Sequence, residues 1–158
     1  MKAGKALRAI GFIVLCEFAG IIGSLFTFSS IPAWYDLLQK PWFTPPSWVF
    51  GPVWLILYAL MGVAAFLVWE RKKPKGVINY AKAAFIIQLA FNVCWSILFF
   101  GLQSIGKGLF DILLLWITLV ATIVLFYKVS RRAALILVPY IIWVSIATAL
   151  NIYLWKLN

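Results

Sequence analysis

The pattern of apolar and polar positions divides this chain into five long apolar runs separated by short polar segments. A run of about 20 apolar residues is long enough to cross the ~30 Å hydrocarbon core of a bilayer as a helix. Such runs lie at about residues 9–28, 48–69, 77–101, 108–127 and 133–155, and they use nearly the whole 158-residue sequence. The pattern therefore predicts an all-α integral membrane protein, a five-transmembrane-helix bundle in which residues 1–158 form a single domain.

The connector between the first two predicted helices is longer and richer in Trp and Pro than the others. Residues 34–47 read WYDLLQKPWFTPPS. Because aromatic rings are flat and proline fixes φ, we expect a long structured loop that folds over the end of the bundle and closes a ligand site. A belt of interfacial Trp is the alternative. The later connectors are short, so consecutive helices are expected to be antiparallel neighbours or nearly so.

Composition and charge narrow the class of protein. At 65% hydrophobic and 11% charged residues, the chain has too little polar surface for a soluble globule, in which apolar residues make up roughly 45–50%. A net charge of +10 is compatible with nucleic-acid binding. The basic residues cluster beside the apolar runs, however, and do not interleave with exposed aromatic residues. We therefore expect the protein to interact with the lipid bilayer and not with nucleic acid.

The positions of the basic residues predict an orientation. With the N-terminus inside, eleven of the fourteen Lys and Arg residues fall in inside segments, namely Lys2, Lys5, Arg8, Arg71, Lys72, Lys73, Lys75, Lys82, Lys128, Arg131 and Arg132. Only Lys40, Lys107 and Lys156 fall outside. The positive-inside rule thus gives an inside N-terminus, an outside C-terminus and a Trp/Pro connector on the outer face.

Conventional catalytic chemistry is missing from the sequence. The chain has no histidine, which excludes a His general base, a His-ligated metal and the usual proximal haem ligand. No nucleotide-binding or hydrolase motif is present either. We therefore predict no metal site and no required cofactor.

Polar and aromatic residues recur at helical spacing in three of the predicted helices. The third helix carries Gln88, Asn92, Trp95, Ser96 and Phe99, the second carries Trp54 and Tyr58, and the fifth carries Trp143, Ala147, Leu150 and Asn151. Amides in hydrocarbon should find partners or face a cavity. Two interpretations stay open: the polar groups join helices, or the three stripes line one site under the connector.

Two acidic residues lie within predicted helices. An ionised carboxylate at the bilayer centre costs about 2.5–3.5 kcal/mol on insertion scales, so Glu17 should be protonated, paired or facing the bundle. A hydrogen bond to another helix is the preferred interpretation, and proton-coupled transport is the alternative. Asp111 lies closer to the outer end of the fourth helix and should reach interfacial water.

Several segments together resemble the translocator protein family, also called tryptophan-rich sensory proteins or peripheral-type benzodiazepine receptors. The resemblance rests on WYDLLQKPWFTPP, GPVWLILYALMG, QLAFNVCWSILFFG, Asp111 and PYIIWVSIATALNIYLW, and it covers essentially the full chain. It implies a five-helix bundle, usually a homodimer, with a ligand cavity at the end covered by the first connector. Family members bind porphyrins, and some bind cholesterol and synthetic benzodiazepine or isoquinoline ligands.

The resemblance also implies a set of site residues. Carried over through the matched motifs, the pocket comprises Tyr35, Pro45, Trp48, Phe50, Trp54, Tyr58, Asn92, Trp95, Ser96, Trp143, Ala147 and Leu150. Trp54 and Trp143 match two tryptophans implicated in light-dependent porphyrin breakdown in some bacterial members. The implied ligand is a porphyrin, protoporphyrin IX or haem, whose propionates we expect Lys40 or a Trp N–H to neutralise. The family's weak sterol signature fits Leu150, Tyr153 and Lys156.

Three functions remain open from the sequence. The first is a membrane protein that binds tetrapyrroles, with a transport or sensing role. The second is an enzyme that degrades porphyrin photochemically, with Trp as electron donor. The third is a sterol translocator or a small proton-coupled exporter that uses Glu17.

Overall fold

A computed structural model describes residues 2–71 and 75–158 of the chain. Lys72 and Lys73, two residues on which the predicted orientation rests, are not among the described residues. The helices are α1 (Lys2–Ala33), α2 (Ser47–Trp69), α3 (Lys75–Ser96), α4 (Ile105–Val129), α5 (Arg131–Ile136) and α6 (Val138–Leu157). A 3-10 turn spans Tyr35–Leu37, and a π-helical turn, Ile97–Gly101, extends α3.

Within the described residues, five helical segments are long and apolar enough to cross a membrane, with α5 and α6 together forming the fifth. The all-α, five-span prediction is therefore confirmed. The first helix extends beyond the predicted 9–28 at both ends. At the N-terminal end, the polar residues before Ala9 continue the helix past the apolar run. The fifth span breaks at Leu137, two residues before Pro139, as expected where a proline removes a backbone donor.

Close contacts fix the directions of the helices. Gly20 of α1 lies against Tyr58 of α2, and Gly62 of α2 lies against Ile13 of α1, so these two helices are antiparallel. On α3, Ser96 lies beside Gly23 of α1, and the C-terminal end of α3 continues along the C-terminal end of α1. The helices follow one another around the bundle in the order α1, α2, α5 with α6, α4 and α3. This ring places α1 beside both α2 and α3.

The connector 34–46 packs over one end of the bundle through aromatic rings and backbone hydrogen bonds. The Tyr35 side chain is only 2% exposed, and its ring packs against Phe50 and the aromatic pair at the end of α3. Phe43 makes an edge contact with Tyr153 of α6, with ring centroids 5.3 Å apart. These contacts position the connector beside the ends of α2, α3 and α6.

Candidate ligand-binding groove

A groove of about 480 Å³ lies between α1 and α2, and the C-terminal end of α3 closes its back. Its wall on α1 consists of residues spaced three or four apart, Glu17, Gly20, Ser24, Thr27 and Ile31 among them. The apolar side chains of Ile21, Phe28 and Leu55 line the groove and are also more than half exposed. The groove therefore opens sideways, toward the hydrocarbon of a surrounding bilayer.

Two glycines make the α1 wall thin. A Cβ atom added at Gly20 would lie 2.5 Å from the Tyr58 ring, and one added at Gly23 would lie 2.9 Å from Ser96 Oγ. Because glycine has no Cβ, α1 can approach both α2 and α3 closely at this level. The small residues of α1 thus serve a contact within the bundle.

The opposite wall is aromatic. Trp48, Phe50, Trp54 and Tyr58 of α2 line the groove, and Trp95 and Phe100 close it from the α3 side. The rings of Trp54 and Tyr58 lie 5.6 Å apart with their planes at 33°. Rings in this arrangement leave faces and edges on which a flat π-system can stack.

A buried hydrogen-bond network lies behind this wall and holds Tyr58 in place. The Tyr58 hydroxyl donates to Asn92 Oδ1, and Asn92 Nδ2 donates to the Tyr140 hydroxyl at 2.7 Å. The Tyr140 hydroxyl donates in turn to Gln88 Oε1 at 3.1 Å. Asn92 is 2% exposed and joins α2, α3 and α6. Its amide therefore supports the groove from behind and does not line it.

Asn151 also joins helices. Its Oδ1 accepts a hydrogen bond from Trp95 Nε1 at 3.2 Å, and its Nδ2 donates to the Ile105 carbonyl at 3.2 Å. This contact fixes the indole of Trp95, which closes the back of the groove. The helix-joining interpretation of the two Asn residues agrees with these bonds.

Phe50 separates the groove from the region around Trp143. A small void of about 20 Å³ lies on the far side of Phe50, lined by Tyr35, Ala147 and Leu150 among others. The Trp143 ring contacts Phe50 edge-on, at 6.0 Å between centroids. Among the residues that the structure describes, neither the Tyr35 hydroxyl nor Trp143 Nε1, both buried, has a hydrogen-bond partner. Tyr35 lines the inner void, and Trp143 contacts Phe50 without lining that void.

The implied site residues thus fall into separate places. Those that line the groove are Trp48, Phe50, Trp54, Tyr58, Trp95 and Ser96. Tyr35, Ala147 and Leu150 line the inner void instead, and Pro45, Asn92 and Trp143 line neither space. The implied list omits the whole α1 wall. The sequence could have indicated this wall, because the spacing of Glu17, Gly20, Ser24 and Thr27 puts these four residues on one helix face.

Glu17 lies at the deep end of the groove and is partly exposed. Among the side chains that the structure describes, its carboxylate has no hydrogen bond or ion pair, and the expected bond to another helix is not formed. The ion pairs in that part of the chain are Arg8 with Glu70 at 3.3 Å and Lys40 with Asp36 at 3.9 Å. Asp111 is buried, at 4% exposure, so it does not have the expected access to interfacial water, and its Oδ2 lacks a partner among the described residues.

The connector and the C-terminal helix hold the remaining candidates. Lys40 Nζ lies 4.9 Å from the centre of the Tyr35 ring, outside the groove lining. Burial, and then the neighbouring Asp36 carboxylate, raises the pKa of the Tyr35 hydroxyl to about 12. Tyr35 is therefore a hydrogen-bond donor at neutral pH. In the sterol signature, Leu150 is buried while Tyr153 and Lys156 are exposed.

Comparison with known proteins places this arrangement in a family. Residues 12–156 match the model of the TspO/MBR family. The tryptophan-rich protein TspO of Archaeoglobus fulgidus is 44% identical over 154 residues, which cover 96% of this chain and 97% of that protein. The translocator protein of Homo sapiens is 39% identical over 153 residues, covering 95% and 89%. The tryptophan-rich sensory protein of Cereibacter sphaeroides is 38% identical over 125 residues, covering 79% and 77%. With its five apolar helices, the chain therefore belongs to the TspO/MBR family and is an integral, multi-pass membrane protein.

Proposed function

We propose that this protein binds a flat tetrapyrrole, of the protoporphyrin IX or haem type, in the groove between α1 and α2, in a transport or sensing role. The observation that carries this proposal is the shape and lining of the groove. Its volume of about 480 Å³ lies within the ~300–1,000 Å³ typical of small-molecule sites. An aromatic wall on α2 faces a thin wall on α1, and a slot of this form suits a large planar ligand.

The lateral opening supports a role in handling a ligand that dissolves in the membrane. A hydrophobic tetrapyrrole enters the bilayer readily, and the exposed side chains of Ile21, Phe28 and Leu55 border the opening on the lipid side. The relatives' names, translocator protein and sensory protein, fit such a role. In this proposal the connector 34–46 acts as a lid on the outer end of the groove, where Ser47 and Trp48 lie.

A titration with protoporphyrin IX in nanodiscs tests the proposal. Trp54→Ala should weaken binding by roughly five- to 150-fold, which corresponds to the loss of about 1–3 kcal/mol of stacking and buried area. Leu55→Trp should fill the groove and weaken binding similarly. Trp116→Ala is the matched control, because Trp116 lies on α4 and does not line the groove. Wild-type affinity in both groove variants would refute the site.

Photochemical degradation of the bound porphyrin is a second candidate function, favoured by one observation. Trp54 lines the groove, and its ring lies 5.6 Å from Tyr58 and 6.2 Å from Tyr140. An indole beside two phenols is a suitable electron donor to a photoexcited porphyrin. Illumination of the bound complex, followed by loss of porphyrin absorbance, distinguishes this function from binding alone.

We also propose an inside N-terminus, an outside C-terminus and a homodimer. In the antiparallel arrangement, the start of α1, the end of α2 and the α4–α5 junction share one end of the bundle, where most basic residues lie. Cysteine labelling at Leu37 and Arg71, in a chain with Cys16 and Cys94 replaced by Ala, tests the orientation. Labelling of both positions from the same side would overturn it. The mass of the purified particle tests the homodimer.

A further inference from the structure

Among the described residues that line the groove, Glu17 is the one that carries a charge; the others are apolar, aromatic, hydroxyl-bearing or glycine. Its carboxylate has no partner among the side chains that the structure describes. A carboxylate at this depth of a membrane is costly unless it is neutralised. A cation would neutralise this carboxylate, and the described lining of the groove supplies none, although the protein as a whole carries a net charge of +10.

The register of α1 and α2 places the aromatic rings of Tyr58 and Trp54 within about one helical turn of the level of this carboxylate. Because Gly20 contacts Tyr58 and Gly62 contacts Ile13, Glu17 lies at about the level of Tyr58 and one turn deeper than Trp54. From Glu17 to Ile31 the lined face of α1 is roughly 21 Å long at the 1.5 Å rise of a helix. The acid is thus at the deep end of a long aromatic groove.

A lipophilic cation would fit both the Glu17 carboxylate and the aromatic groove that contains it. Its charge would pair with the carboxylate, and the ring faces of Trp54 and Tyr58 attract cations electrostatically. Its apolar surface would be buried against the remaining groove lining. An anion of the same size and shape would meet repulsion from Glu17 at the same depth.

We propose that the groove binds lipophilic aromatic cations, with the positive charge beside Glu17 and the rings against Trp54 and Tyr58. The proposal rests on the proposed function only in using the same groove, and it does not require a porphyrin ligand. The cation enters from the bilayer through the lateral opening between α1 and α2.

Tetraphenylphosphonium and tetraphenylborate test the proposal, because they share one shape and carry opposite charges. Each is titrated against the protein in nanodiscs, and empty nanodiscs give the partitioning background. The wild type should bind the cation saturably and more tightly than the anion. Glu17→Gln should weaken cation binding by about tenfold or more and leave anion binding equal or stronger. Glu70→Gln is the matched control, since it removes the same charge outside the groove lining.

Two further variants keep the test decisive. Glu17→Lys should reverse the preference, so that the anion binds more tightly than the cation. Leu55→Trp, which fills the groove without altering Glu17, should weaken cation binding as well. Equal cation affinity in the wild type and Glu17→Gln, or a wild-type preference for the anion, would overturn the proposal.

Protoporphyrin IX dimethyl ester, titrated in the same samples, separates this inference from the proposed function. The ester has no carboxylates, so its binding reports stacking in the groove alone. Ester binding without a Glu17-dependent cation preference would overturn the inference and leave the proposed function intact. A Glu17-dependent cation preference without ester binding would overturn the proposed function and leave the inference intact.

Discussion

The ring of Phe50 stands edge-on to the indole of Trp143, with centroids 6.0 Å apart and planes at 70°. On another side, Phe50 makes a perpendicular contact with Tyr35, also at 6.0 Å. Phe50 lines both the groove and the inner void, as Trp95 and Phe100 do, so it is part of the partition between them. Tyr35, whose hydroxyl lacks a partner among the described residues, lines the inner void.

Removal of the partition should enlarge the site. Phe50→Ala should join the groove to the inner void and raise the affinity for bulky planar ligands that carry hydrogen-bond acceptors, because the Tyr35 hydroxyl becomes accessible. The free energy of unfolding should fall by less than the ~3–5 kcal/mol typical of a fully buried Phe, since Phe50 is only partly buried. Ligand titration and unfolding in micelles measure the two effects. Phe110→Ala, on the exposed face of α4, is the control, and a drop in affinity in Phe50→Ala alone would contradict the partition.

The glycine contact between α1 and α2 gives a second prediction. Gly20→Ala should destabilise the bundle by about 1–3 kcal/mol, because the new methyl group meets the Tyr58 ring and Asn92 holds that ring in place. Gly11→Ala, on the same helix, has no atom within 4 Å of the added Cβ and should be neutral or stabilising by up to ~1 kcal/mol. Thermal unfolding in detergent compares the two. Equal stability of the two variants would show that α1 does not pack as described.

The buried amide network gives a third prediction. Asn92→Ala leaves the hydroxyls of Tyr58 and Tyr140 short of a partner and should cost about 1–2 kcal/mol, near the upper range for helix-joining hydrogen bonds in membranes. Asn79→Ala, at an exposed position of α3, should change stability little. Because Tyr58 also lines the groove, Asn92→Ala should weaken ligand binding even though Asn92 itself does not line the groove. Wild-type stability in Asn92→Ala would mean that water or a rearrangement replaces the network.

Much of the bundle was predictable because the membrane leaves few choices for polar groups. Gln88, Asn92, Trp95, Ser96 and Phe99 share one face of α3, and the structure buries all five. Hydrocarbon cannot solvate amides, so a stripe of this kind has to face the bundle interior. The length and number of the spans follow from the same constraint.

The shape of the site was less predictable because it depends on the order of helices around the ring. Short connectors led us to expect each helix beside the next, but α3 packs mainly on α1 and α4 and makes few contacts with α2. That order brings the face of Glu17 and Gly20 into the groove. Similarly, spacing alone could not show that Phe50, one turn before Trp54, packs edge-on against Trp143.

Hydrogen bonds between the C-terminal Asn158, which follows α6, and Gln39 of the connector give a fourth prediction. The Asn158 side chain accepts a hydrogen bond from Gln39 N at 3.0 Å and donates one to Gln39 O at 3.1 Å. Asn158→Ala should therefore raise the hydrogen-exchange rate of residues 34–46, by an amount that reflects two hydrogen bonds of ~0.5–1.5 kcal/mol each. Lys156→Ala, at an exposed neighbouring position, should leave exchange unchanged. Unaltered exchange in Asn158→Ala would show that the aromatic contacts of Tyr35 and Phe43 hold the connector without these hydrogen bonds.

Light-driven porphyrin loss separates the two tryptophans that the family motifs match. If the porphyrin occupies the groove, Trp54→Phe should suppress the illuminated loss of porphyrin absorbance far more than it weakens binding, because Phe stacks but donates an electron poorly. Trp143→Phe should have a much smaller effect, because Phe50 stands between Trp143 and the groove. Parallel titrations in darkness correct each rate for occupancy. Equal suppression by the two substitutions would show that the ligand reaches Trp143, and that Phe50 moves aside when the ligand binds.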